Sequence, residues 1–475
     1  MNLRTLCALS AASLLIAGCT MAPRYERPAS PVPATFSAPA PAPAAASVAV
    51  AADLGWRDFF RDPGLQSLIE LALRQNRDLR VAALNVESVA AQYRIQRAAL
   101  FPALDAGGGV DRTKTPSALL YPGQPATYSL YSVNAGISSW EVDFFGRLRS
   151  LKDQALETYL AQKENQRDVQ LTLVAEVATE YLTERALAEQ VAVARKTLEA
   201  QRQSLKLTQR SFEVGSSSEL DYRSAQGQVA TARADLASLE RQHAATLTQL
   251  AVLVGGPLPA TGPSPADDDL LADLPAGLPS ELLSRRPDIL EAEHLLKGYN
   301  ANIGAARAAF FPRITLTASG GFESLSLSGL FKAGSSAWTL DPQLVLPIFD
   351  AGTNLANLDI AKVAKLKAAA QYEKAIQSAF HEVSDALTAR SFYEEQVEAL
   401  KALVEADQLS YTIAEARYRH GVDSFLVALD SQRSLYAAQQ TLIQARLARL
   451  TNLVALYEDL GGGWNERTPR DAAPR

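Results

Sequence analysis

The chain has 475 residues, of which 47% are hydrophobic and 21% are charged, and its formal net charge is −6 at pH 7. This composition supplies ample apolar material for a folded core and shows no basic excess, which excludes a protein built mainly to bind nucleic acid. Cys7 and Cys19 are the two cysteines, so the chain is not a disulfide-rich secreted domain.

The first eighteen residues have the pattern of a secretory signal peptide. Arg4 precedes an apolar run from Leu6 to Ala17, which is too short to span a bilayer as a helix. The run ends in Leu15-Ile16-Ala17-Gly18-Cys19, which resembles the lipobox of bacterial lipoproteins. The sequence therefore predicts export, removal of residues 1–18 and a lipid anchor at Cys19. The alternative is an ordinary signal peptide that happens to contain a cysteine.

Residues 19–52 are dominated by proline and alanine, a composition that favours extended conformations and cannot form a packed core. We predict a lipidated tether there. Thr20, rather than an aspartate, follows the predicted anchor, which in lipoproteins of this kind implies sorting to the outer membrane. From Trp56 to Asn76, leucine and alanine recur at steps of three and four residues, which predicts an amphipathic helix that enters the folded part.

Three glycines recur at one fixed distance of 206 residues and indicate an internal duplication. The spans between them lack proline and are rich in good helix formers, so each repeat is predicted to hold a long helical hairpin. The pairs are Gly146 and Gly352, Gly215 and Gly421, and Gly255 and Gly461. We place the first repeat at residues 53–256, a linker or equatorial segment at 257–284, the second repeat at 285–462 and a C-terminal tail at 463–475.

Ahead of each hairpin the sequence turns to glycine, serine, threonine and aromatic residues, with apolar side chains at every second position. A period of two predicts strands, two per repeat and four per chain. Pro342 would remove a ladder donor from the last strand, so we expect a bulge or bend there. Export and aromatic residues near the strand ends favour a membrane β-barrel wall over a soluble sandwich.

Four strands cannot close a barrel in lipid, because open sheet edges are not tolerated there. The barrel must be shared, by two chains with eight strands or by three chains with twelve. At the far end of each hairpin, Gly215 and Gly421 stand where one helix ends and the next begins. Glycine supplies the left-handed C-terminal cap, and Ser218 or Asp423 can cap the helix that follows.

Four motifs carry a family resemblance across the whole mature chain. They are Trp56-Arg57-Asp58-Phe59-Phe60-Arg61-Asp62-Pro63, Trp140-Glu141-Val142-Asp143-Phe144-Phe145-Gly146-Arg147, Arg285-Arg286-Pro287-Asp288-Ile289 and Leu346-Pro347-Ile348-Phe349-Asp350-Ala351-Gly352. With them the chain resembles the outer-membrane factors of the TolC superfamily, specifically the lipidated OprM/NodT-type branch.

The resemblance implies a mainly α fold with a membrane β part. Three chains would form a twelve-stranded barrel in the outer membrane, continued by a long periplasmic α-helical barrel with a small mixed equatorial domain. Such channels work with a periplasmic adaptor (membrane fusion) protein and an inner-membrane drug transporter of the resistance-nodulation-division type. They do no chemistry and need no cofactor or metal. The turns at Gly215 and Gly421 would contact the adaptor.

The resemblance also implies a gate at the periplasmic entrance, formed by a leucine and an aspartate in the helix after the second turn. The match over residues 422–433 carries these positions to Leu426 and Asp430, with Arg433 as a helix neighbour. Three copies of Asp430 near an axis would form an acidic ring. Spacing alone favours a simpler interpretation, an exposed i,i+3 pair of Asp430 and Arg433.

The sequence shows no catalytic or metal-binding constellation. His243, His294, His381 and His420 are scattered and are interpreted as helix-surface residues, and there is no phosphate-loop or zinc-spacing motif. The run Asp267-Asp268-Asp269 is interpreted as a solvated loop rather than a calcium site.

Two alternatives to drug efflux stay open at this point. One is metal-ion efflux or protein secretion through the same fold, although the scarcity of methionine, present at Met1 and Met21, argues against a thioether-lined copper route. The other is a periplasmic coiled-coil spacer lipoprotein without a pore. The alternating strand pairs argue against the spacer, because a spacer needs no membrane wall.

Overall fold

The computed structural model describes residues 20–33, 36, 54–123, 125–259, 267, 270–272, 274 and 285–468. The predicted signal peptide, the predicted anchor Cys19 and most of the tether, linker and tail lie outside these residues. Within the described part, no helix combines the length and the apolar character needed to cross a membrane.

The helices and strands follow one order twice along the chain. They are α1 Trp56–Phe59, α2 Pro63–Gln75, α3 Arg77–Ala98, β1 Asp105–Lys114, β2 Thr127–Glu141, α4 Arg147–Glu213, α5 Glu219–Val254, α6 Pro287–Ala308, β3 Arg313–Ser324, β4 Ser336–Val345, α7 Thr353–Arg419 and α8 Phe425–Asp459. The succession α3-β1-β2-α4-α5 returns as α6-β3-β4-α7-α8. Both α3 and α6 have 22 residues, and both α4 and α7 have 67. The boundaries assigned above to the individual parts stay predictions.

The duplicated glycines share one backbone conformation. Their φ angles are +74° at Gly146, +76° at Gly215, +81° at Gly255, +88° at Gly352, +74° at Gly421 and +77° at Gly461. An L side chain is strained in this left-handed region, which is why glycine occupies every position. The glycines stand before α4 and α7 and after the ends of α4, α5, α7 and α8.

The four predicted strands are present as one antiparallel sheet in the order β1-β2-β3-β4. The bulge expected at Pro342 is wrong, because Pro342 lies opposite Leu316 in an unbroken register. Among the described residues of the chain, β4 pairs with β3 alone, and the pairing of these two strands continues on both sides of Pro342. The irregularity lies instead in β2 between Ile137 and Trp140, where Ser139 has a φ of 51° and donates its N–H to Thr317 Oγ1 at 3.1 Å.

The chain divides into two compact units. The first, the sheet unit, consists of the described residues up to Ala29 together with Asn85–Lys163 and Glu291–Tyr372. The second, the helical unit, consists of the described residues of Ser30–Leu84, Glu164–Leu290 and Glu373–Arg475. Each unit takes residues from both repeats.

The core of the helical unit contains an aromatic cluster built from α1 and α8. Phe59 and Phe60 are fully buried, and the ring of Phe59 stacks on Tyr457 with centroids 4.0 Å apart. Tyr457 Oη donates to the Leu54 carbonyl at 2.7 Å, so its polar end is satisfied. Each such ring pair contributes about 0.5–1.5 kcal/mol beyond area burial. The aromatic residues of the first motif are therefore core residues.

Arg286, from the third motif, sits at the start of α6 against the end of α8. Its guanidinium lies 2.9 Å from Asp288, 2.8 Å from Glu382 and 3.8 Å from the Asp459 carboxylate. Burial raises the pKa of Asp459 to about 7, and Glu382 and Glu458 add to the rise while Arg286 opposes it. One cation thus serves several partly buried carboxylates.

Candidate functional site at the hairpin turns

The two hairpin turns have the same main-chain geometry. Each closes with two hydrogen bonds of Schellman type around its left-handed glycine. The bonds run from Gly215 N–H to Phe212 O (3.0 Å), from Ser216 N–H to Ser211 O (2.8 Å), from Gly421 N–H to Tyr418 O (2.9 Å) and from Val422 N–H to Arg417 O (2.9 Å). The helix ends predicted at Gly215 and Gly421 are confirmed.

The helix starts after the two turns differ. Ser218 caps α5 in a full capping box, in which its hydroxyl accepts from the Asp221 N–H at 3.1 Å while its own N–H donates to the Asp221 carboxylate at 3.3 Å. The cap expected from Asp423 is wrong. Ser424 occupies the N-cap position of α8 without a side-chain bond, and Arg417 binds Asp423 in a bidentate ion pair at 2.6 and 2.9 Å.

The ion pair explains why Asp423 does not cap α8. A guanidinium at bidentate distance is a stronger partner for a carboxylate than a helix N–H, because both groups carry full charges. The side-chain hydrogen bond from Arg417 lowers the pKa of Asp423, which keeps the carboxylate charged. Sequence spacing could not show this, because Arg417 reaches Asp423 only across the folded turn.

Helix α8 has one buried face and one exposed face at this end. Phe425 and Leu429 pack with Ala225 of α5, and Tyr418 and Leu205 cover them. The Tyr418 and Phe425 rings are 5.5 Å apart. This small apolar cluster fixes the start of α8 against the other helices.

The predicted gate residues lie on the exposed face of α8. Leu426 is 64% exposed, and Asp430 and Arg433 are exposed as well. Within the described residues, neither Asp430 nor Arg433 makes a side-chain hydrogen bond or an ion pair. The simpler interpretation, an i,i+3 pair between them, is therefore not observed. The structure brings Leu426, Asp430 and Arg433 onto one accessible strip.

The predicted anchor Cys19 lies outside the described residues, but the segment just after it binds α6 within the sheet unit. Glu293 of α6 is buried and accepts hydrogen bonds from Arg27 Nε at 3.0 Å and Nη2 at 2.6 Å. Tyr25 Oη donates to it at 3.2 Å, and Lys297 Nζ lies 3.2 Å away. Burial alone would raise the pKa of Glu293, but the hydrogen bonds from Arg27 and Lys297 outweigh burial and lower it.

The contacts continue along α6 toward its C-terminal end. Asn300 Nδ2 donates to the Pro23 carbonyl at 2.8 Å, and Arg307 Nη1 donates to the Met21 carbonyl at 3.3 Å. A side chain at Gly304 would collide with Ala22, so glycine is required where the segment crosses the helix. Residues 21–27 therefore form a strap that runs antiparallel to α6. Sequence reasoning missed this strap.

The remaining polar candidates form ordinary pairs. His243 and His294 are half-buried rather than surface residues, and they bind Glu184 at 2.8 Å and Glu157 at 2.7 Å. Of the run Asp267-Asp268-Asp269, only Asp267 is described, and it is not simply solvated, because it lies 3.4 Å from Arg185 and 2.9 Å from Arg446. Asp268 and Asp269 lie outside the described residues. In the described ranges, no group of three or more histidine, cysteine or acidic side chains could hold a metal ion.

Known proteins resemble this chain over nearly its full length. A family model described as outer membrane efflux protein matches residues 68–256 and 278–462. The toluene efflux pump outer membrane protein TtgC of Pseudomonas putida is 48% identical over 468 residues, which cover 98% of this chain and 97% of that protein. The antibiotic efflux pump outer membrane protein ArpC of Pseudomonas putida shows the same identity and coverage.

A solved structure has the same fold. The open state of the MtrE outer membrane channel of Neisseria gonorrhoeae is 40% identical and gives a TM-score of 0.86, covering 95% of this chain and 100% of that one.

Proposed function

This chain belongs to the outer membrane efflux protein family, and from that membership we infer that it is the outer-membrane channel subunit of a tripartite efflux system. The observation that carries the inference is a four-stranded sheet with open edges at β1 and β4, in a chain whose longest described elements are two helical hairpins. Three such sheets close a twelve-stranded barrel without free edges, which lipid requires.

The protein is therefore a homotrimeric duct and not an enzyme. Its barrel lies in the outer membrane and its helical part in the periplasm. Its partners are a periplasmic adaptor protein and an inner-membrane transporter of the resistance-nodulation-division type, which supplies the energy.

We propose that the cargo is small organic compounds, including drugs and aromatic solvents. The support is the naming of the 48% identical relatives as toluene and antibiotic efflux proteins. A water-filled duct imposes little selectivity, so the transporter sets the range of compounds. Deleting the gene should lower the resistance of its host to both antibiotics and toluene. Unchanged resistance to both classes, in a strain without a second channel of this family, would contradict the proposal.

We propose further that Leu426 and Asp430, with Arg433 beside them, form the periplasmic gate. The support is their position on the exposed strip of α8, where no side chain of the described chain engages the charges. The three copies of the strip in a trimer can meet only at the threefold axis. There the copies of Leu426 would exclude water, and the carboxylates of Asp430 would repel one another unless they are hydrogen-bonded.

The gate is tested by the double substitution Leu426→Ala and Asp430→Ala. The channel should then conduct at rest in planar bilayers and admit large antibiotics into cells. Leu220→Ala is the matched control, because Leu220 holds the same position in the first repeat and is 75% exposed. Resting conductance and uptake that stay as in the parent protein would overturn the assignment.

The turns are proposed as the adaptor contact. Val214 and Val422 flank Gly215 and Gly421, and they are 79% and 61% exposed. Exposed valines beside rigid backbone turns are suited to bury apolar surface against a partner. Val214→Asp and Val422→Asp should abolish resistance while the trimer and its conductance persist. Full resistance in the double variant would remove the turns from the interface.

A further inference from the structure

A buried pair of glutamine side chains joins α4 to α8 in the helical unit. The buried stripe of α8 runs through Phe425, Ala428, Leu429, Gln432, Leu435 and Ala438, and Gln432 is its polar member. On α4, Gln201 is 3% exposed, and Gln432 is 9% exposed. Gln201 Nε2 donates to Gln432 Oε1 at 2.7 Å. The other polar contacts between α4 and α8 lie farther along α8, from Gln440 and Arg446 to Glu458, so this pair is the polar contact between the two helices that is nearest to the start of α8.

The pair is only partly satisfied. Within the described residues, Gln201 Oε1 is buried and has no hydrogen-bond partner. A cavity of about 200 Å³ adjoins the pair and is lined by other polar side chains. These include Gln228, Asp235, Arg433 and Tyr436. The packing beside the pair is therefore incomplete, whereas the apolar cluster of Phe425, Leu429 and Ala225 packs the first turns of α8.

A polar contact in an apolar helix seam selects one register. If α8 slid along α4, each amide would face an aliphatic side chain and lose its partner in a low-dielectric site. Apolar side chains discriminate registers far less, because one leucine replaces another at the next turn, about 5.4 Å along. Gln432 lies two residues beyond Asp430, so the register of α8 sets the height of Asp430 and Leu426.

We propose that the Gln201–Gln432 pair is a positioning device that holds α8 at the height where the gate closes. The proposal rests on the gate assigned to Leu426 and Asp430. In this proposal Gln201 and Gln432 are positioning residues: they hold α8 in register, and the closed entrance itself is formed by Leu426 and Asp430.

The test replaces both glutamines, Gln201→Leu with Gln432→Leu, in the full-length trimer. Two leucines pair well in an apolar seam, so we expect an unchanged or higher melting temperature. The resting open probability in planar bilayers should nevertheless rise about tenfold. The open state is a minor state, and its population grows when the closed state loses a stabilising contact. The single change Gln432→Leu should lower the melting temperature, because it leaves Gln201 buried without its acceptor.

Gln190→Leu is the control, since Gln190 is a buried glutamine of α4 whose side chain makes no bond to α8. Equal leakage from this variant would mean that any loss of a buried amide loosens the channel, and the positioning role would fall. A double leucine variant that stays as closed as the parent would also overturn it. The variant with alanine at Leu426 and Asp430 separates the two proposals: if it leaks and the double leucine variant does not, the gate stands and the positioning role fails. If neither leaks, the gate itself is wrong.

Discussion

Arg286 donates a hydrogen bond to the main-chain carbonyl of Asp459 at 3.1 Å and so joins the start of α6 to the end of α8. The bond satisfies a carbonyl in the last turn of α8, which has no partner within the helix. The same guanidinium faces Asp288, Glu382 and the Asp459 carboxylate. Negative charge therefore exceeds positive charge at this junction.

The junction predicts that stability depends on pH. Folding raises the pKa of Asp459 from 3.8 to about 7, mainly through burial, so the folded chain favours the protonated carboxyl. Stability should fall as the pH rises from about 4 to about 7 and stay level above that range. Asp459→Asn should remove the loss and raise the melting temperature at pH 8 but hardly at pH 4.

The size of this effect follows from the pKa shift. A shift from 3.8 to about 7 corresponds to at most about 4 kcal/mol per chain. The Asp459 carboxylate retains 17% exposure, so solvent screening reduces the expected change in the free energy of unfolding to about 1–2 kcal/mol. Thermal unfolding of the detergent-solubilised trimer between pH 4 and pH 8 measures it. Asp385→Asn, at a highly exposed acid of α7, is the control and should change little. Parallel pH curves for parent and Asp459→Asn would contradict the prediction.

The capping box predicts different effects for two equivalent serines. Ser218→Ala should destabilise the start of α5 by about 1 kcal/mol, because it removes the acceptor for the Asp221 N–H. Ser424→Ala, at the same position of the second repeat, should have almost no effect, since Ser424 makes no side-chain cap bond. Hydrogen exchange at the first turns of α5 and α8 distinguishes the two sites. Equal effects would show that both serines cap in solution.

The ion pair at the second turn predicts a salt-sensitive and acid-sensitive loop. Arg417→Ala should speed hydrogen exchange at residues 421–424, because Asp423 loses its partner. The pKa of Asp423 is lowered in the folded chain, so the stabilisation is present above its ordinary pKa of 3.8 and is lost as the pH falls through the lowered value. High salt should imitate the substitution. Arg419→Ala, which breaks a pair with Glu415 within α7, is the control and should leave the turn unchanged.

The contacts between the strap and α6 predict which substitutions detach the strap from that helix. Arg27→Ala should free residues 21–27, because it leaves the buried carboxylate of Glu293 without its bidentate partner. Glu293→Gln should weaken the strap less, since an amide oxygen still accepts hydrogen bonds. Limited proteolysis of the membrane-embedded trimer reports release, with Arg24→Ala, at an exposed arginine, as the control. Strap cleavage no faster in Arg27→Ala than in Arg24→Ala would contradict the prediction.

Much of the fold could be predicted because its signals are local. A glycine at a helix end is required by backbone conformation alone, so Gly215 and Gly421 mark the turns without knowledge of the rest of the chain. Alternating apolar residues likewise predict strands from neighbours in sequence. For the same reason the duplication could be detected, since each repeat carries its own complete set of local signals.

The rest depends on residues that meet only in the folded chain. The strap depends on a contact between Arg27 and Glu293, which are 266 residues apart in the sequence, and no local pattern predicts that contact. Asp423 looked like a helix cap until Arg417 was placed across the turn. Pro342 looked disruptive because proline lacks a ladder donor, yet the register between β3 and β4 continues through it. The irregularity at Ser139 has no proline and only Gly136 nearby, and it could not be located from sequence.

The two turns of each chain differ in chemistry, and this difference affects how many equivalent sites the trimer offers to a partner. Each trimer carries six hairpin ends, three built on the Ser218 box and three on the Arg417–Asp423 pair. A partner that senses only the shared Schellman backbone meets six equivalent sites. A partner that senses the ion pair meets three, because point-group symmetry repeats each chemical surface once per chain. Under the adaptor contact proposed above, the divergence between the two halves of the duplicated chain would decide whether the trimer offers an adaptor six equivalent sites or three.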